Sequence, residues 1–143
     1  MHCNSKWRHN SIVIKSLNDL TPTENHLDDR FKWKVMPSMQ VDLCMHYPLV
    51  CWITTYKFYI DKFLKTCPVE IKERLQTPVV DNNGNVLLIK GGNNRFLAAQ
   101  KLEFTSIDCL IFEKQLDAIK WAKFLSHEDP YFNLDLDDRV LTL

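Results

Sequence analysis

The chain has no apolar run near the ~20 residues needed to span a bilayer. Its opening, MHCNSKWRHNS, also lacks the apolar centre of a signal peptide. Both absences predict a cytoplasmic protein with no membrane partner. Neither charge is in excess: 18 basic residues balance 18 acidic ones. A protein that coats nucleic acid by charge alone is clearly basic, so non-specific duplex binding is disfavoured and only a local basic groove stays open. There is no CxxC pair, and the five cysteines are odd in number and scattered. That excludes a disulfide framework and a zinc site and suits a reducing compartment, with Cys44, Cys51 and Cys109 as small core residues. Internal repeats, low-complexity tracts and long charge blocks are absent too.

What is present fits one domain over residues 1–143, with 45% hydrophobic and 25% charged residues. IVIK at 12–15 reads as a first strand, followed by the turn-rich SLNDLTPTENH. From Asp28 to about Tyr47, Phe31, Val35, Met39 and Leu43 recur at helical spacing, interrupted by Pro37. PLVCWITT (48–55) is β-branched and aromatic after a proline, a strand signal. KFYIDKFLK suits a helix or a strand extension, and CPVEIKERLQTP contains a short helix. Asn83-Gly84 is a hairpin signal that pairs TPVVD with NVLLIK. NRFLAAQKLEF is helical, SIDCLIFE a strand, QLDAIKWAKFLSHED an amphipathic helix, and PYFNLDLDDRVLTL an arm or docked tail. This order predicts an α+β fold: a mixed sheet packed with helices.

The unusual stretch is LLIKGGNNRFLAAQKL, where a strand meets Gly91, Gly92, Asn93, Asn94 and Arg95 and a helix begins at once. Two glycines permit positive φ and close approach of a ligand to the main chain. A helix start offers N–H groups and a partial positive charge, Asn93 or Asn94 is a fitting cap, and Arg95 brings a bidentate fork for phosphate. Together these are the parts of an anion site. The same residues also suit a glycine turn with an asparagine cap and a solvated arginine.

VLLIKGGNNRFLAAQKLEFTSIDCLIFE resembles the core of the ParB/sulfiredoxin superfamily: strand, glycine turn with arginine, helix carrying Ala-Ala, strand. IVIKSLNDLTPTEN and KVMPSMQVDLCMHYPLVCW resemble its first strand and its helix before a proline-led strand. The resemblance spans about 12–116, with an apparent insertion at about 54–76 and a C-terminal helix and tail at 115–143. It implies that Gly91, Gly92, Asn93, Asn94 and Arg95 bind the phosphates of a nucleotide or nucleic acid. It also implies that Lys34 (or Lys32) reaches a phosphate. Sulfiredoxins carry cysteine and histidine where Asn93 and Asn94 stand, and asparagine cannot be a sulfur nucleophile, so that activity is excluded. The double-arginine turn and downstream helix-turn-helix of partition proteins are missing as well.

Some relatives are nucleases, so hydrolysis of a phosphodiester or nucleotide is one implied activity, with a nucleoside triphosphate and Mg²⁺ as the implied cofactors. Such chemistry needs a carboxylate near Arg95. Glu24 and Asp28 are the catalytic candidates, with Asp29 and Asp81 behind them. His26, Asp28 and Asp29 lie together as a metal trio would, but one histidine with two aspartates in a turn is more often a solvated loop or helix cap, so no metal site is expected. WITTYKFYIDKFLK interleaves aromatics with Lys57, Lys62 and Lys65, which suits either a single-stranded nucleic acid surface or an amphipathic core element. The competing function is a non-catalytic interaction module, as in phage or mobile-element accessory proteins, docking a protein partner through the aromatic insertion or the C-terminal tail.

Overall fold

In the computed structural model, residues 2–5, 10–24, 47–73, 75, 77–125 and 140–141 are described. The strands are β1 (His2–Cys3), β2 (Val13–Ser16), β3 (Leu49–Thr55), β4 (Asn85–Gly91), β5 (Ser106–Phe112) and β6 (Val140–Leu141). The helices are α1 (Tyr56–Phe58), which runs on into a π-helical stretch Tyr59–Leu64, then α2 (Val69–Lys72), α3 (Asn93–Lys101) and α4 (Gln115–Leu125). The expected helix from Asp28 to about Tyr47, with Cys44 in it, lies outside the described residues except for Tyr47, which is a bend.

β5 is the centre of the sheet. β1 pairs with Ser106 and Ile107 in parallel, and β3 pairs in parallel from Cys109 to Phe112. β2 is antiparallel against Ser106–Cys109, and β6 is antiparallel against Ile111 and Phe112. Shared partners allow only one arrangement: β1 and β3 share one edge of β5, β2 and β6 the other. β4 extends the sheet beyond β3, antiparallel to it. The mixed α+β sheet expected from the sequence is therefore present, and part of the apolar tail docks on it as β6.

Alternation along the strands separates two cores, because successive side chains face opposite ways. Leu49, Cys51, Leu87, Ile89, Ile107, Cys109 and Ile111 meet Phe96, Leu97, Ala98 and Ala99 of α3 on one face. Val50, Trp52, Val86, Leu88, Leu110 and Phe112 meet Ala118, Trp121 and Leu125 of α4, and Tyr59, on the other. Burial on both faces explains why these strands read as nearly continuous apolar runs. Cys51 and Cys109 are buried filler, as expected.

Two expectations are corrected. The run 77–81 does not pair with β4 along its length; Val80 and Val86 form a single bridge. Thr21 occupies the edge instead: its N–H donates to Leu87 O at 2.8 Å and its carbonyl accepts from Ile89 N at 3.0 Å. The Thr21 hydroxyl then accepts from Val79 N at 3.1 Å, drawing that arm off the ladder. Second, α3 is capped by Gly92 with no side-chain bond, not by an asparagine.

β1 has no counterpart among the strands expected from the sequence. It is held by side chains: His2 Nδ1 lies 2.7 Å from Ser106 Oγ, and His2 Nε2 lies 2.7 Å from Asp108 Oδ1. Asp108, only 2% exposed, also accepts from Ser5 N at 2.7 Å.

Candidate phosphate-binding turn

The turn is built by division of labour between its glycines. A Cβ on Gly91 would stand 3.0 Å from Ala122 Cβ, so the bare Cα lets α4 close on the end of β4. Gly92 turns the chain with φ +105 and ψ 21, a left-handed conformation that side chains resist. A Cβ there would run into Leu49 Cδ2 and stand 2.8 Å from Arg95 Nη2. The guanidinium therefore lies against the bare face of Gly92.

The first bond of α3 is Phe96 N–H to Gly92 O at 2.8 Å. The N–H groups of Asn93, Asn94 and Arg95 thus precede the helical ladder, where the dipole favours an anion. Arg95 is half-buried, and its Nη1 donates to Tyr47 O at 3.1 Å. The Tyr47 carbonyl thus takes one of the five N–H donors of the fork.

Asn93 has a different task from the expected one. Its Oδ1 accepts from Thr23 N at 2.9 Å and Glu24 N at 3.3 Å, and its Nδ2 donates to Thr23 Oγ1 at 3.1 Å. Thr23 Oγ1 donates to Ile89 O at 2.7 Å. The Asn93 side chain is spent on fastening the 21–24 loop to the turn. Asn94 is half-buried on the first turn of α3.

The latch brings Glu24, exposed, to the rim of the turn. Cys67 lies within electrostatic reach of it. Burial pushes the Cys67 thiol above its ordinary value; Lys72 opposes the shift and Glu24 adds to it. Asp81 is elsewhere: its Oδ1 accepts from Asn83 N at 2.8 Å and Asn85 N at 2.9 Å, at the opposite end of β4 from Gly91. It belongs to the hairpin turn. Asp28, Asp29, His26, Lys32 and Lys34 lie outside the described residues.

Thr23 and the Tyr47 carbonyl are neighbours of the turn that sequence reasoning missed. Thr23 sits in a conspicuous loop, but no spacing links it to Asn93, since the contact spans 70 residues. Among the described residues no group of three or more His, Cys, Asp or Glu could hold a metal. The donors gathered at the turn are N–H groups and a guanidinium, which suit a phosphate better than a metal ion held by protein ligands. A Mg²⁺ ion here would arrive on the phosphates, with Glu24 as the carboxylate the loop presents to it.

Among the described residues no helix is long and apolar enough to cross a membrane. No protein-family model, curated protein or solved structure matches the chain.

Proposed function

We propose that the Gly91–Arg95 turn binds a phosphate of a nucleotide or of nucleic acid. The observation that carries this reading is the Arg95 guanidinium held against the bare face of Gly92, beside N–H groups that precede the α3 ladder. A cation, a helix dipole and main-chain donors are the parts from which anion sites are made. The resemblance of the strand–turn–helix to the ParB/sulfiredoxin superfamily supports the same ligand class.

In this reading Gly91 and Gly92 supply the approach, Asn93 and Asn94 their main-chain N–H groups, and Arg95 its fork. Asn93 acts through the loop it fastens and not as a side-chain ligand. If the protein hydrolyses its ligand, Glu24 is the residue that would accept the proton of an attacking water.

Binding of ATP and of a short single-stranded DNA, by wild type and Arg95→Ala, with and without Mg²⁺, tests the proposal. Loss of affinity in the variant is expected. Unchanged binding, or none in the wild type, would overturn it and favour the interaction module. Mg²⁺-dependent turnover abolished by Glu24→Gln would add hydrolysis to the function.

A further inference from the structure

The sheet face that carries α4 is apolar along the second half of β5 and polar along the first. Leu110 and Phe112 pack in the core that α4 closes. By the same alternation Ser106 and Asp108 stand on that face. Strand pairing sets His2 of β1 and Ser16 of β2 on either side of Ser106, and Ile14 beside Asp108. Ile14 is 64% exposed, so the face is open there.

Three side chains of this polar end are joined in series. Asp108 Oδ2 accepts from Ser5 N at 2.7 Å, and Oδ1 faces His2 Nε2 at 2.7 Å. As a carboxylate Asp108 only accepts, so Nε2 of the neutral imidazole carries the ring proton. Nδ1 then keeps its lone pair, 2.7 Å from Ser106 Oγ, and accepts the hydroxyl hydrogen. The Asp108 side chain is 3% exposed, that of His2 22%, and Ser106 is half-buried. The series thus runs from a buried acid to a hydroxyl that solvent reaches.

Fastening β1 does not need the last link. The bonds from Asp108 to His2 and to Ser5 N already hold both ends of residues 2–5 against β5. What the last link adds is a base aligned on a hydroxyl. A nucleophile bonded to a base, and a base oriented by a buried carboxylate, are the parts of an acyl-transfer triad. Either ring nitrogen serves as the base, because protonation of either gives the same imidazolium. Cys3 and Ser5 are buried while Asn4 is exposed, so the period of two returns Asn4 to the His2 face.

We propose that Ser106 is a nucleophile for acyl transfer from small activated esters, with His2 as its general base and Asp108 positioning the ring. Ser106 Oγ bonds to the acyl carbon while its proton passes to His2 Nδ1. The bond from that carbon to the leaving alcohol oxygen breaks, and this oxygen takes the proton from His2. Water then attacks the acyl-serine and gives a proton to Nδ1. The carboxylic acid departs as Ser106 Oγ recovers its hydrogen. The Asn4 amide is the side-chain donor this face offers to the developing oxyanion. Small esters fit an open sheet face on which exposed Ile14 gives an acyl chain an apolar rest. No residue is shared with the Gly91–Arg95 turn, and the proposal does not depend on it.

The test treats the intact chain with p-nitrophenyl acetate and with a fluorophosphonate, and maps the labelled residue by mass spectrometry. Wild type is compared with Ser106→Ala, His2→Gln and Asp108→Asn. A fluorophosphonate adduct on Ser106 and a burst of nitrophenol are expected in wild type. Ser106→Ala should lose both while keeping the His2–Asp108 bond, and so β1. His2→Gln should slow both about a hundredfold or more. Asp108→Asn presents an N–H donor to Nε2, which moves the ring proton to Nδ1 and should slow acylation at least as much. Ring ¹⁵N shifts of His2 report that change of tautomer, and amide exchange reports whether β1 stays docked. Slowed acylation with β1 docked and the tautomer changed establishes the positioning role. No adduct on Ser106 in wild type overturns the proposal. So does an adduct formed as fast in His2→Gln and Asp108→Asn, and His2 and Asp108 are then a clasp for β1 alone.

Discussion

Asn93 and Thr23 are hydrogen-bonded twice, the Thr23 N–H to Oδ1 at 2.9 Å and Nδ2–H to the Thr23 hydroxyl at 3.1 Å. A loop and a helix start 70 residues apart thus behave as one piece. Asn93→Ala removes these bonds together with that to Glu24 N, leaving loop donors to find water. The expected loss is about 1–3 kcal/mol in denaturant unfolding. Amide exchange should quicken at Thr23 and Glu24 first. Equal protection at both amides in the variant would show that the latch does not hold the loop.

The two left-handed glycines should respond unequally to alanine. Gly84 has φ +78 and open space where a methyl group would stand, so Gly84→Ala meets only the backbone cost of about 1–2 kcal/mol. Gly92 has φ +105 and Leu49 in the way, so Gly92→Ala adds overpacking of about 1–3 kcal/mol more. Thermal or urea unfolding of the two variants measures the difference. Equal losses would refute the close approach of Leu49 and Arg95 to Gly92.

Trp52 is 2% exposed, and among the described residues its indole N–H has no hydrogen-bond partner. Trp52→Phe keeps a ring against Phe63 and removes the unsatisfied donor, so the change should stay within about 1.5 kcal/mol. Trp52→Ala empties the site and should cost about 3–5 kcal/mol. A phenylalanine variant as damaged as the alanine one would mean that the indole shape itself is required.

Burial pushes the Tyr59 hydroxyl above its ordinary value of 10.0, with smaller contributions from Cys67 and Tyr56. The folded state therefore retains this proton where the unfolded state has begun to lose it. The associated stability is whole below about pH 10 and is lost as pH rises through the elevated value. Tyr59→Phe should flatten the alkaline limb of a stability–pH profile. An unaltered limb would place the alkaline loss on other groups.

Much of this architecture is legible in the sequence because it rests on local pattern. β3, β5, α3 and α4 run for seven to eleven residues of apolar or amphipathic pattern, and Pro48 and Gly92 mark the starts of β3 and α3. The strand–turn–helix at Gly91–Arg95 reads in place for the same reason. What escapes the sequence depends on distant pairs. β1 is two residues long and has no periodicity; it exists because His2 meets Ser106 and Asp108 across the sheet. The pairing of 77–81 with β4 fails because Thr21, remote in sequence, claims that edge. Asn93 looks like a cap, since asparagine often is one, yet a loop supplies better partners than its own helix.

β5 collects its partners from widely separated parts of the chain, with His2–Cys3 on one edge and Val140–Leu141 on the other. A ribosome making this protein must therefore pass Leu141 before the central strand has all its neighbours. Until then the half of β5 around Ile111 and Phe112 keeps an unpaired edge facing outward. Completion of the sheet waits on those last partners, and that edge is where a stalled or truncated chain would find the wrong one.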